Sequence, residues 1–187
     1  IKSSAASDVY KRQAYNNRKT SLQFIQQEMN NITALSNETC QLGIQSRNMV
    51  LYIAKKDSPQ PIRLMSSVGK QLPLYCTGLG RALLAYKSEE EIRSLFPEVL
   101  TAYTPHTIAT INDLLKELEL TRQRGYAVEH EETNLMVNCI AVSLDYNNAP
   151  IAALSISIPT FRISESKEKE AVQILWEAKQ RIETHFK

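Results

Sequence analysis

The sequence predicts an α+β fold in which helices flank one largely antiparallel sheet of about six strands. Two observations predict it. Helix-like and strand-like stretches follow one another in the order α-βββ-ααα-βββ-α along the 187 residues. Short turns also join neighbouring strands into hairpins, which must pair antiparallel. The length and the 43% of hydrophobic residues suffice for one domain with a substantial core.

The first half of the chain contains one predicted helix and three predicted strands. Apolar residues at helical spacing predict an amphipathic helix over 15–36. Arg47 and Asn48 separate two alternating stretches and fit a hairpin turn, in which Asn48 tolerates a positive φ. The strands are predicted at 38–46, 49–55 and 62–68.

The second half contains helices first, and then three strands and a last helix. Ser88 and Glu91 form the capping-box pattern that begins a helix, and Gly125 is a typical residue after a helix end. Asn147 and Asn148 begin a turn between the last two strands. The helices are predicted at 77–86, 88–95, 110–125 and from 164 onward, and the strands at 126–131, 137–146 and 151–158.

Composition argues against several classes of protein. Twenty-two basic and twenty acidic side chains leave a net charge of +2, without the strongly basic stripe of a nucleic-acid surface. No apolar run approaches the ~18 residues of a membrane span. Cys40, Cys76 and Cys139 form no CxxC pair, which is typical of free thiols in a reducing cytoplasm. We therefore expect a cytoplasmic protein with no membrane contact and no cofactor.

The last two strands have one bulky face and one small face, because successive side chains alternate across a sheet. A small polar face leaves room for a ligand, and its hydroxyl groups can donate hydrogen bonds to an anion. A solvated sheet face is the alternative, and the spacing does not choose between the two. The bulky face carries Ile140, Val142, Leu144, Leu154, Ile156 and Ile158, and the small face carries Cys139, Ala141, Ser143, Ala153, Ser155 and Ser157.

Two glycines at the start of the helix at 77–86 allow a close approach of a ligand or of another backbone. First-turn N–H groups can bind a carboxylate or a phosphate. The pattern is no nucleotide signature, because Leu83 stands where GxGxxG requires glycine. Tight packing alone is the simpler explanation.

The run from Glu129 to Glu132 resembles a metal-binding helix motif only superficially, because Asn134 stands where HExxH requires its second histidine. No metal site is expected. Cys139 and His130 leave open a nucleophilic pair, although a single cysteine is more often a small buried residue.

Four short patterns occur in a fixed order along the chain. They are Leu72-Pro73-Leu74-Tyr75-Cys76-Thr77, Gly80-Arg81-Ala82-Leu83-Leu84-Ala85, Glu131-Glu132 before Cys139-Ile140-Ala141-Val142, and Ala153-Leu154-Ser155-Ile156-Ser157 before Pro159-Thr160. Together they resemble the C-terminal effector-binding domain of the IclR family of bacterial transcriptional regulators, over roughly residues 20–185. The resemblance implies a GAF-like fold with a small-molecule pocket on one face of the sheet.

The resemblance also implies the residues of that pocket. Two positions depart from the family pattern: Ile158 stands where many members have glycine, and Glu129 is longer than the usual aspartate. Ile158 is expected to narrow the pocket or to alter the strand end. The effector-binding residues carried over are Leu79, Gly80, Glu129, Cys139, Ser155 and Ser157, and the pocket walls are Leu72, Leu74, Met136 and Val137.

The resemblance implies that residues 15–187 form a signal-sensing domain of a repressor and catalyse no reaction. Residues 1–14 are expected to be linker or vector-derived residues outside the fold. The expected partners are a small carboxylate, such as a sugar acid, and further copies of the chain in a homodimer or tetramer. Operator DNA would be bound only by an N-terminal winged helix-turn-helix domain that this sequence lacks. The alternatives are a small-acyl hydrolase that uses Cys139 and a ligand-free oligomerisation module.

Overall fold

The computed structural model describes residues 21–62 and 67–186. The described strands form one antiparallel sheet, and five helices pack against it. The strands are β1 (Thr39–Ser46), β2 (Met49–Lys56), β3 (Gln71–Pro73), β4 (Ala127–His130), β5 (Val137–Tyr146) and β6 (Ala149–Pro159). The helices are α1 (21–36), α2 (Gly78–Leu84), α3 (Glu89–Leu95), α4 (Ile111–Arg124) and α5 (Glu165–His185).

The spatial order of the strands is β3-β2-β1-β6-β5-β4, so the first and last thirds of the chain meet at the centre of the sheet. The longest pairing is the hairpin β5–β6, which runs from Val137 opposite Pro159 to Tyr146 opposite Ala149. The predicted α+β class, the number of about six strands and the largely antiparallel pairing are confirmed. The described part of the first predicted helix is also confirmed, whereas residues 15–20 lie outside the described residues.

The two hairpin turns depend on residues with positive φ. Asn147 and Asn148 have φ values of 50° and 61°, so a two-residue turn suffices and β6 begins at Ala149, earlier than predicted. In the turn between β1 and β2 the left-handed residue is Arg47, with φ 57°, and not Asn48 as expected. The Asn48 carbonyl instead accepts a hydrogen bond from the Leu74 N–H at 3.1 Å.

The strand predicted at 62–68 is wrong for its described residues, since Ile62 and Val68 lie in irregular structure and are 63% and 59% exposed. Residues 63–66 lie outside the described residues. The sheet takes Gln71–Pro73 as its edge strand. Gly69, with φ 88°, turns the chain back, and its N–H donates to a carbonyl of β2 at 2.8 Å. The regular strand therefore begins only after this turn, at Gln71.

The sheet separates two apolar cores. Helices α1 and α5 cover the bulky face, where Ile140, Leu154 and Ile156 are buried against Leu175 and Ile182 of α5. Helices α2, α3 and α4 cover the opposite face, on which β5 and β6 contribute only small side chains. The predicted difference between the two faces is thus confirmed. Because the side chains of this face are small, α2 packs close to the sheet. The polar groups of the face are therefore enclosed between this helix and the strands.

Candidate functional site

A row of polar side chains crosses the sheet on the side of α2. Glu129, Cys139 and Ser157 are paired across β4, β5 and β6, and Ser155 is paired with Gln41 of β1. We call these five residues the polar row. Glu129, Ser155 and Ser157 are each 1% exposed, whereas Cys139 keeps part of its surface accessible. The strand register thus brings together four residues that the sequence predicts for the site, and it adds Gln41.

Hydrogen bonds connect the members of the polar row. The Ser157 hydroxyl donates to Gln41 Oε1 at 3.0 Å, and the Ser155 hydroxyl points to the same oxygen at 3.4 Å. Ser157 Oγ also lies 3.1 Å from Cys139 Sγ. Buried hydroxyl groups must be hydrogen-bonded, and Gln41 meets that need. Because a hydroxyl rotates about its C–O bond, both serines can turn to an oxygen of a ligand without backbone movement.

The carboxyl group of Glu129 is enclosed at one end of the polar row. Its Oε1 accepts hydrogen bonds from the backbone N–H groups of Glu132 and Thr133, at 2.5 and 3.3 Å. Burial raises the pKa of this carboxyl to about 7, and the negative charge of Glu132 acts in the same direction, while the backbone donors and the Cys139 thiol lower it. In the described residues Glu129 forms no ion pair. The carboxyl therefore exchanges a proton near neutral pH.

The thiol of Cys139 does not have the environment of a nucleophile. Burial raises its pKa well above the ordinary value, and the neighbouring Glu129 adds to the shift, so it is not a thiolate at neutral pH. His130 lies opposite Asn138 in the sheet and contacts that side chain at 3.0 Å. Because successive residues of a strand face opposite sides, His130 does not join Cys139. The proposed Cys-His pair does not form.

A buried ion pair fixes the loop that carries the backbone donors of Glu129. Arg81 of α2 is 1% exposed, and its guanidinium donates to Glu132 Oε2 and to the carbonyl oxygens of Tyr75 and Val128, both at 2.9 Å. The Glu132 carboxylate also accepts the Ile108 N–H at 3.1 Å. Sequence reasoning gave this pair no role, because 51 residues separate the two side chains.

The two glycines of α2 have different neighbours. A Cβ on Gly78 would lie 3.2 Å from the Cβ of Cys139, so Gly78 lets the helix approach the polar row. A Cβ on Gly80 would lie 2.2 Å from the Leu74 carbonyl oxygen, which favours the packing interpretation for that glycine. The Gly80 N–H donates to Thr77 Oγ1 at 3.1 Å, so a ligand would have to compete for this donor.

The other predicted site residues surround the polar row at different depths. Leu79 is buried, and its side chain reaches toward Gly43 of β1. Leu74 is fully buried in the core under α2, and Leu72 packs at its margin. Met136 precedes β5 with φ 67° and is 55% exposed. Val137 is partly buried at the start of the same strand. These wall assignments remain predictions.

Ile158 does not occupy the face that carries the polar row. Its side chain is fully buried in the opposite core, with α1 and α5. The expectation that this residue narrows the pocket is therefore not supported by its position.

A separate cavity of 210 Å³ lies further along the small face, between α2, α4 and the strands β4 and β5. Ser143, Tyr86, Thr121 and Arg122 are polar residues that line it, and the side-chain oxygens of Ser143 and Tyr86 lie 2.9 Å apart. It is separate from the polar row, because none of the five row residues lines it.

In residues 21–62 and 67–186 no group of three or more His, Cys, Asp or Glu side chains could hold a metal ion. No helix within the same residues is long and apolar enough to cross a bilayer.

The sequence and the fold both match one family. The sequence profile described as "Bacterial transcriptional regulator IclR C-terminal" matches residues 14–184. The chain belongs to the IclR family of bacterial transcriptional regulators, and the match covers the C-terminal domain of that family. The resemblance stated from the sequence is thereby confirmed.

Two named regulators of transcription are similar to this chain in sequence. The HTH-type transcriptional regulator KdgR of Dickeya chrysanthemi is 38% identical over 157 residues, which cover 83% of this chain and 52% of that protein. The HTH-type transcriptional repressor AllR of Escherichia coli K12 is 36% identical over 141 residues, 74% of this chain and 52% of AllR. The chain thus spans about half the length of these relatives. Both are named as regulators of transcription, and the matches indicate no enzyme family.

Solved structures show the same fold. The crystal structure of the C-terminal domain of E. coli KdgR superposes with a TM-score of 0.79 at 32% identity, and the match covers 88% of this chain and 97% of that one. The crystal structure of IclR from Thermotoga maritima superposes with a TM-score of 0.83 at 29% identity, over 95% of this chain and 73% of that one.

Proposed function

We propose that this chain is the ligand-sensing part of a transcriptional repressor and that the polar row binds a small hydroxylated carboxylate, such as a sugar acid. The observation that carries the proposal is the enclosure of Ser155, Ser157, Gln41 and Glu129 between α2 and the sheet. An apolar interface between helix and sheet needs no such groups, because each buried polar group destabilises the fold unless it is hydrogen-bonded.

The side chains of the polar row match the oxygen atoms of such an acid. A charge-assisted hydrogen bond from a serine hydroxyl to a carboxylate contributes roughly 1.5–3 kcal/mol. The two serines are on one strand with one residue between them, so their hydroxyl groups can reach the same carboxylate. Glu129 and Gln41 supply acceptors for the hydroxyl groups of the ligand. The sugar-acid class itself comes from the resemblance of the stretches 72–76 and 155–160 to the branch of the family that represses genes for sugar-acid and related carbohydrate catabolism.

The effect of a ligand bound at the polar row would be transmitted through β1 and β6 to α1, the helix that precedes the sheet. These strands carry Gln41 and the two serines, and their ends are joined by Glu38 and Arg162, whose ion pair has two contacts of 2.7 Å. Glu38 follows α1 after a single intervening residue. We propose that the ligand favours one of two oligomer geometries, which present the DNA-binding domains of a dimer or tetramer differently.

The experiment is a thermal-unfolding screen against sugar acids and small oxo- and hydroxy-acids, followed by calorimetry. A ligand at 100 times its Kd adds about 2.7 kcal/mol of stability, which corresponds to several degrees in Tm. Ser155→Ala combined with Ser157→Ala is expected to abolish the shift. Ser143→Ala is the matched control, since it removes a hydroxyl from the same sheet face outside the polar row.

Three outcomes distinguish the proposal from its competitors. Equal affinity in the double serine variant would place the ligand elsewhere. Turnover of a small acyl compound that Cys139→Ala abolishes would favour the hydrolase. An unchanged Tm with every acid, in a stable oligomer, would favour the ligand-free oligomerisation module.

A further inference from the structure

Among residues 21–62 and 67–186, no cation pairs with the Glu129 carboxyl. The Cys139 thiol on β5 hydrogen-bonds its carboxyl, and the charge of that carboxyl also acts on the Tyr52 hydroxyl of β2 and on the Cys76 thiol before α2. All three are neutral at pH 7, because burial raises the pKa of each group. The loop after β4 adds Glu132, which is another carboxylate.

The buried cation near this loop is already paired. Arg81 distributes its donors among the Glu132 carboxylate and two backbone carbonyls. It therefore neutralises Glu132 and not Glu129. The two backbone donors of Glu129 converge on Oε1, which leaves Oε2 as the oxygen that can carry a proton.

An acidic ligand in the polar row would bring a second carboxylate to this enclosed space. Two carboxylates in a low-dielectric environment cannot both remain ionised at close range without a strong repulsion, whereas a neutral carboxyl can donate a hydrogen bond to an ionised one. The same hydroxyl-bearing site would therefore bind an acid far better when Glu129 is neutral.

We propose that the acidic effector binds together with one proton from solvent, held by Glu129, so that this side chain acts as a hydrogen-bond donor to the ligand. The inference rests on the proposed function, because it concerns the same site. Its consequence is that affinity falls as the pH rises. With a half-protonation point near pH 7, the Kd is expected to rise about eightfold between pH 7.5 and pH 8.5.

The test is isothermal titration calorimetry with D-gluconate, D-glycerate and pyruvate between pH 6.5 and 8.5, in buffers of different ionisation enthalpy. The carboxyl groups of these acids stay ionised throughout this pH range. Any proton taken up from solvent on binding, up to one per bound acid, must therefore go to a group of the protein. Glu129→Gln keeps an oxygen acceptor and a donor, and it is expected to bind with a Kd that no longer changes with pH. Glu90→Gln, an exposed residue at the start of α3, is the control and should keep the pH dependence.

A second measurement needs no ligand. Carboxyl carbon NMR of the ¹³C-glutamate-labelled protein, with the Glu129 signal identified by its loss in Glu129→Gln, should show a midpoint near pH 7. If Glu129 is fully ionised at pH 5.5, or if an acid binds the wild type without proton uptake, the inference is overturned. If none of the acids binds while Glu129 titrates near pH 7, the proposed binding of these acids is wrong, whereas the protonation of Glu129 near neutral pH is supported.

Discussion

Replacing Glu129 by glutamine should stabilise the fold at alkaline pH and have little effect in acid. Burial raises the pKa of this carboxyl from 4.5 to about 7, so the folded protein keeps a proton that the unfolded chain releases. This stabilisation is fully present below pH 4.5 and is lost as the pH rises through 7. Relative to a side chain that is neutral in both states, the free energy of unfolding is therefore lower by about 3 kcal/mol at pH 8 and by about 1 kcal/mol at pH 5. Glutamine is neutral at both values.

Urea unfolding at pH 5 and pH 8, at one protein concentration, measures this difference. The gain of Glu129→Gln over the wild type should be about 2–3 kcal/mol larger at pH 8 than at pH 5. Glu90→Gln is the control, because its exposed carboxyl should give the same small effect at both values. A gain that does not depend on pH would show that Glu129 is ionised throughout the range, and the argument from burial would then be refuted.

Two further predictions concern the support of the site. Gly80→Ala should destabilise the fold by roughly 1–3 kcal/mol in urea unfolding, because the new Cβ would lie 2.2 Å from the Leu74 carbonyl oxygen. Gly69→Ala is the comparison, because there the backbone strain of φ 88° acts without any steric contact of the new Cβ. An unchanged unfolding midpoint for Gly80→Ala would contradict the packing interpretation. Arg81→Met should cost about 3–5 kcal/mol by leaving Glu132 buried and unpaired, and adding Glu132→Gln should recover part of that loss. Additive losses in the double variant would refute the pairing argument.

The candidate site was partly predictable, because strand alternation is a local property. The alternation of successive side chains along a strand is enough to assign Cys139, Ser155 and Ser157 to the small face, and the strand register confirms that they share it. Glu129 entered through the resemblance to the family, and the register places it beside Cys139.

Gln41 was missed. Its position against the two serines follows only from the pairing of β1 with β6, which joins residues more than a hundred positions apart.

The sequence by itself determined the order of helices and strands, the difference between the two faces of the last hairpin, and the family. Only the tertiary structure decided which residues meet across the sheet. It turned His130 away from Cys139 and paired Arg81 with Glu132. It also moved the third strand to Gln71–Pro73, because the chain reverses its direction at Gly69 and regular pairing with β2 follows that turn. Local spacing fixes the direction of a side chain, whereas its partner depends on long-range register and on the burial that results.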